Sequence, residues 1–400
     1  MTITSEQRAR RLRLPAVLSY AFRPLFLAAA IWAIVDIAVS LAMFLGYLQL
    51  PTRFDPVAWH IHEMLFGLVM AAVGGFLLTA ITSPNWTNRL PVRGFLLALL
   101  TSLWLAGRIA CLTSAVLPAW LAIAADLSFP VALFVVAAHE IIAGRNWRNL
   151  RMTAPVAVFI VADLLMHLES LGFAVPSGLG WRLGVTAAIL LISVVGGRII
   201  PSFTGNWLIK RHATCLPSPH GAVDVWSIGV LHTGIILWAV LPNFRLAGVI
   251  LVIGAVLNAW RLARWAGSAT LAEPLLFILH VGYGWMVAGV ALLGLSLFDI
   301  GVPAASAIHA LTAGAIGTMI LAVMPRVTLG HTGRDLTASR ATVAIFFLIN
   351  AAAVARVVAS WNTDATMILI ALSGVCWIAA FGLFEIVYGP MLLTRRLAHT

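Results

Sequence analysis

Long apolar stretches, each ended by a short polar or Gly/Pro-containing connection, recur along the whole chain. A hydrocarbon core about 30 Å thick needs roughly 20 helical residues to cross it. Against that length the pattern predicts twelve spans, at about 22–48, 60–82, 93–115, 118–142, 151–172, 181–200, 224–241, 244–265, 272–296, 303–325, 338–360 and 365–389. The remaining chain is too short for a soluble domain. The longest connection, 201–223, carries Pro201, Pro217 and Pro219 and divides the spans six and six. The expected fold is therefore an all-α integral membrane protein, a bundle of about 12 transmembrane helices. It forms a single polytopic domain over 1–400, with half-bundles at about 22–200 and 224–389.

Composition excludes a soluble alternative. Hydrophobic residues make up 62% of the chain and charged residues 10%, against about 25% charged in soluble domains. The net charge of +11 speaks to topology, because Lys and Arg collect in cytoplasmic loops. Eighteen of the 25 Lys and Arg residues fall in the first residues (Arg8, Arg10, Arg11, Arg13), the even-numbered loops (Arg89 among them) and the tail. Only Arg53, Arg182 and Arg245 fall in the odd loops. Both termini are thus expected in the cytoplasm, with no nucleic-acid partner. Cys111, Cys215 and Cys376 are scattered, which indicates neither disulfides nor thiolate metal sites.

Ionisable groups within spans are costly, and each is a functional candidate. His60, His62 and His309 lie towards the outer ends of their spans, as do His167 and Glu169. His232 and His280 share a depth near the midplane, and His331 falls in an inner loop. Asp36, Asp126, Asp163 and Arg108 occupy the outer half. Neutral imidazole is a common ligand for copper and iron, and haem wants axial His with cationic partners for its propionates. His60 and His62 stand two residues apart, so on a regular helix they face different neighbours. Either the first turn is irregular and both hold one metal, or each serves its own site. Glu63 beside them would orient a ligand His or relay protons; the plainer reading is a His–Glu cluster facing water. His232 and His280 are candidate haem ligands or singly hydrogen-bonded groups, Arg108 a propionate partner or half of a buried ion pair. His139, His212, His220 and His399 read as solvated. One local echo stands out: His62-(x4)-Gly67 and His309-(x4)-Gly314.

Several ordered stretches resemble the NnrS family of bacterial membrane proteins. They are Ala21-Phe22-Arg23-Pro24, Trp59-His60-Ile61-His62-Glu63-Met64-Leu65-Phe66-Gly67 running to Gly75-Phe76-Leu77-Leu78-Thr79-Ala80, Asn85-Trp86-Thr87, and Trp104-Leu105-Ala106-Gly107-Arg108. Further along come Gly196-Gly197-Arg198-Ile199-Ile200-Pro201, Leu279-His280-Val281-Gly282-Tyr283, and His309-Ala310-Leu311-Thr312 through Gly330-His331-Thr332-Gly333-Arg334. The resemblance covers nearly the whole chain. It implies a multi-pass protein of the bacterial inner membrane that carries haem and copper and serves nitric oxide metabolism: denitrification or nitrosative-stress defence. It points to His60, His62, His280, His309 and His331 as metal ligands. With no C-x-x-C-H motif, a b-type haem is expected.

The leading functional expectation is an oxidoreductase of the nitric oxide reductase type. Its catalytic candidates are His60, His62 and Glu63, its cofactor-binding candidates His232, His280, His309 and Arg108. Nitric oxide is the expected small-molecule substrate, lipid the surroundings, and a quinol or electron-donor protein the source of electrons. Two alternatives stand beside it: a proton-coupled secondary transporter, which would be colourless, and a non-catalytic haem- or metal-binding protein of the nitric oxide response.

Overall fold

In the computed structural model residues 14–81, 91–361 and 364–397 are described. The basic start at Arg8, Arg10, Arg11 and Arg13, the Asn85-Trp86-Thr87 stretch with Arg89, and His399 lie outside the described residues. Among those described there are helices and no strands. The long helices are α1 (Phe22–Phe44), α2 (Pro56–Ala80), α3 (Phe95–Leu112), α4 (Ala119–Ala143), α5 (Ala154–Ser170), α6 (Leu179–Lys210), α7 (Ala222–Val240), α8 (Arg245–Ala263), α9 (Pro274–Ser296), α10 (Ala304–His331), α11 (Arg340–Ala359) and α12 (Thr366–Leu393). Eleven of them are long and apolar enough to cross a membrane; α5, with 17 residues, is the short one. This is a multi-pass membrane protein, as the apolar pattern predicts.

The ends of several helices differ from the predicted ones, for local reasons. Helix α2 starts four residues early, because the Asp55 carboxylate accepts from the N–H groups of Val57 and Ala58 at 2.9 Å each and Pro56 occupies the first helical position, where a missing N–H costs nothing. Helix α6 continues through Pro201 to Lys210, so the first half of the predicted 201–223 loop is helical. Helix α10 likewise continues through Pro325, and His331 closes a helix instead of lying in a loop. Within membrane spans proline is tolerated where neighbours re-satisfy the freed backbone. Pro130 is a third such residue, buried inside α4.

Three helices contain π-helical turns: residues 63–69 of α2, 192–196 of α6 and 310–317 of α10. Such turns displace backbone carbonyls from the regular ladder and gather at functional sites. Two displaced carbonyls have found side-chain donors. Gly67 O accepts from Trp104 Nε1 at 2.9 Å, and Ser193 O from Arg261 Nη1 at 2.9 Å.

The chain divides into two compact units. Unit 1 comprises Met1–Val175, Val327–Asp335 and Phe384–Thr400; unit 2 comprises Pro176–Arg326 and Leu336–Leu383. The division falls before α6 and not in the 201–223 connection.

In unit 1, α1 packs on α2, α3 on α4, and α4 on α5. Arg23 is buried and donates through Nη1 to the carbonyls of Met391, Leu392 and Thr394 at 3.2, 2.7 and 2.6 Å, a cation capping the carbonyl end of α12. His331 lies beside Tyr20 and Phe22, ring centroids 6.1 and 5.6 Å away.

In unit 2, α7, α8, α9 and α10 pack in sequence, with α11 on α10. A side chain on Gly282 would meet Met319 at 3.1 Å, and one on Gly289 would meet Leu311 at 2.6 Å. These contacts fix an antiparallel register that sets His280 level with about residue 320 of α10. His309 is eleven residues away along that helix, about 16 Å at 1.5 Å per residue.

Candidate metal centre

Seven side chains from α2, α3, α4 and α5 meet inside unit 1, every one of them buried. Asp126 of α4 is at the centre. Its Oδ2 lies 3.1 Å from His62 Nε2 and 2.9 Å from His167 Nε2, and accepts from Cys111 Sγ at 3.1 Å. Its Oδ1 takes Arg108 Nη2 in a close ion pair. Arg108 Nη1 donates to Glu63 Oε2 at 2.8 Å. Glu63 Oε1 lies 3.0 Å from His62 Nδ1, and Asp163 Oδ1 lies 3.0 Å from His62 Nε2. Phe54 and Phe66 cover His62, with centroids 4.7 and 4.9 Å away, and Phe54 also covers His167 at 5.2 Å.

Helix geometry explains the convergence. Arg108 and Cys111 are three residues apart on α3, and Asp163 and His167 four apart on α5, so each pair shares one helix face. On α2 the π-helical turn begins at Glu63, straight after His62. Trp32 of α1 lies over Gly67, where a Cβ would sit 2.5 Å from its ring, so only glycine allows this approach.

The charges do not balance. Asp126, Asp163 and Glu63 bring three carboxylates against one guanidinium. Buried charge is stable only when compensated, so the cluster calls for two further positive charges. These are either protons, on the imidazoles or on a carboxyl group, or a cation that takes their place. One nitrogen from each of His62 and His167, the Cys111 sulfur and one Asp126 oxygen lie within 4.8 Å of one another. Two imidazoles, a thiol and a carboxylate form a donor set suited to a transition-metal ion, and the anionic excess suits a dication. Glu63 on the second nitrogen of His62 holds that ring as carboxylates hold ligand histidines in metal sites.

The residues singled out from the sequence are distributed as follows. His62, Glu63 and Arg108 belong to the cluster. His60 does not: its Nδ1 lies 3.0 Å from Asp36 Oδ1 and 3.2 Å from Ser40 Oγ, and its side chain is 23% exposed. Of the two arrangements open for the His60–His62 pair, the structure has the one in which each histidine has its own partners. His331 lies beside the Tyr20 and Phe22 rings, away from the cluster residues. In unit 2, His232 Nε2 lies 2.7 Å from Ser193 Oγ. His280 Nδ1 lies 3.2 Å from Leu276 O, and His309 Nδ1 lies 2.7 Å from Ala305 O. With about 16 Å between their levels, His280 and His309 do not share an ion. The sequence reading set Cys111 aside and left His167 unassigned; their signals were the Arg108-x-x-Cys111 and Asp163-x-x-x-His167 spacings.

No curated protein matches the chain. The family model described as NnrS protein matches residues 16–396. That is nearly the whole length, and the chain belongs to the NnrS family.

Proposed function

We propose that the protein is a haem- and copper-binding oxidoreductase of the bacterial inner membrane, with both termini cytoplasmic, that reduces nitric oxide to nitrous oxide. The observation carrying this reading is the buried cluster of His62, Cys111, Asp126 and His167 with its uncompensated negative charge. The overall change is 2 NO + 2 e⁻ + 2 H⁺ → N₂O + H₂O, with electrons from a quinol or a donor protein. Copper would be held by the two imidazoles, the thiolate and the carboxylate, a soft and borderline donor set.

Haem has a fitting residue in unit 2. His280 Nδ1 is engaged by the Leu276 carbonyl, which leaves the lone pair on Nε2. That nitrogen is buried beside the backbone of Trp265 and Gly267. It would hold haem iron if that backbone moved aside. His309, also engaged through Nδ1, and His232 are the other candidate ligands in that unit. Bound copper and haem iron would supply the redox equivalents and the binding of nitric oxide.

The chain's own groups do the rest. Glu63 fixes the His62 ring, Arg108 holds Glu63 and Asp126 in place, and Phe54 and Phe66 exclude bulk water. Asp36 and Asp163 would carry protons towards the site. The test is metal and haem analysis of the detergent-purified protein, followed by anaerobic nitric oxide consumption with a reductant. Metal and a Soret band with turnover support the reading. Both without turnover leave a non-catalytic binding protein, and a colourless, metal-free protein leaves a proton-coupled transporter.

A further inference from the structure

Five buried polar atoms in and beside the metal centre have no hydrogen-bond partner among the described residues: Trp32 Nε1, Asp36 Oδ2, Trp59 Nε1, Arg108 Nε and Asp163 Oδ2. All five residues are at most 7% exposed. Four of them mark a line along the contact of α1 with α2; Asp163 stands apart, on the Nε2 side of the His62 ring and opposite Glu63. Trp32 and Asp36 are four residues apart on one face of α1. The Trp32 ring lies at Gly67, and Arg108 Cδ is 3.3 Å from the same point, which brings two unused donors, Trp32 Nε1 and Arg108 Nε, side by side. Asp36 is in electrostatic reach of Glu63. Trp59 precedes His62 and Glu63 by three and four residues, on the same face of α2. Asp163 spends one oxygen on His62 and leaves the other unused.

Three of these atoms are donors and two are acceptors. A cation satisfies only the acceptors and an anion only the donors. A molecule that both donates and accepts satisfies all five, and the smallest is water. Buried waters typically make about three hydrogen bonds to protein groups otherwise left unpaired. Trp104, on the other side of Gly67, shows the contrast: its Nε1 already donates to the Gly67 carbonyl.

We infer that ordered water occupies this line and forms an inlet from the partly exposed His60–Asp36 pair to the Glu63–Arg108 side of the metal centre. Hydrogen-bonded water passes protons along its length, which an apolar sheath of Phe54 and Phe66 does not. That these protons serve nitric oxide reduction rests on the proposed function; the presence of the water does not.

Hydroxyl-radical footprinting of the full-length purified protein tests the inlet, because radicals born on bound water oxidise the side chains beside it. Trp32 and Trp59 are expected to oxidise several-fold faster than Trp104, which is 5% exposed; equal rates overturn the inference. The variant Trp32→Phe keeps an aromatic ring and deletes the unused N–H. With water bound there, Trp59 labels more slowly in the variant. Without it, Trp59 labels at the same rate as in the unchanged protein, which overturns the inference; the melting temperature falls in either case, because the smaller ring leaves a cavity. Neither readout involves metal or nitric oxide. A metal-free protein with fast-labelling Trp32 retains the inlet and loses the reductase, and the reverse result does the opposite.

Discussion

Each unit buries an arginine among polar partners beside a π-helical turn, yet the two arrangements differ in charge. In unit 2, Arg261 Nε donates to Asp224 Oδ1 at 2.9 Å, and its Nη1 to Ser193 O and Tyr283 Oη at 2.9 and 2.8 Å. Tyr283 donates onward to Asn258 Oδ1 at 2.7 Å. The one anion, Asp224, meets Arg261 and, at 3.6 Å, the partly exposed Arg264, so no negative charge is left over, and neutral groups take up the remaining bonds. In unit 1, Arg108 pairs with two carboxylates, a third, Asp163, rests on His62, and imidazoles and a thiol fill the gaps. A balanced network braces helices and needs nothing more. An unbalanced one is stable only with protons or a cation added, which is the condition for chemistry.

The largest effect that tests this contrast is Arg108→Met, which strands three buried acids. Removing one partner of a buried ion pair costs about 3–5 kcal/mol, so the variant is expected to fail as monodisperse protein in size-exclusion chromatography. The matched change in unit 2 is the double variant Arg261→Met with Asp224→Leu. It removes both charges together and should cost only about 1–3 kcal/mol, from the orphaned Tyr283 and Ser193 groups, read as a modest fall in melting temperature with metal content unchanged. If both changes prove equally harmful, the distinction between the two networks fails.

Next is metal affinity. Cys111→Ser and His167→Ala each remove a donor atom and should weaken metal binding by at least about tenfold, comparable to or beyond the loss seen for outer partners of ligands, in competition with a chelator. Asn258→Ala in unit 2 should leave it unchanged. A smaller effect separates the two glycine–tryptophan contacts. Gly67→Ala pushes on Trp32 and Gly314→Ala on Trp285, where a Cβ would lie 2.7 Å from the ring. Both overpack, by about 1–3 kcal/mol, but only Gly67→Ala should also lower metal content. The smallest expected effect is His232→Gln, which alters one bond to Ser193 and should shift stability by about 1 kcal/mol, measured by thermal unfolding.

The helices were legible because a membrane imposes length and hydropathy on each span separately. The echo of His62-x₄-Gly67 in His309-x₄-Gly314 was legible too. Each His immediately precedes a π-helical turn, and each Gly receives a tryptophan, Trp32 or Trp285. The partners across helices were not legible. Which carboxylate meets His62 depends on how α2, α4 and α5 register, and no periodicity within one span encodes that. Cys111 was passed over because cysteines were weighed by spacing to other cysteines, whereas its ligand companions come from three other helices. Sorting histidines by depth grouped His232 with His280, but depth says nothing about azimuth, and each bonds within its own surroundings.

Pro130 is the residue four places after Asp126, and proline has no N–H to give to the carbonyl at that distance. The Asp126 carbonyl is therefore freed from the backbone ladder of α4, and the ring of Pro130 pushes against it. The residue through which four side chains communicate thus stands where the backbone ladder of α4 is interrupted. A shift of that carboxylate on binding a cation would therefore have one backbone bond fewer to strain in α4 than at a regular helical position.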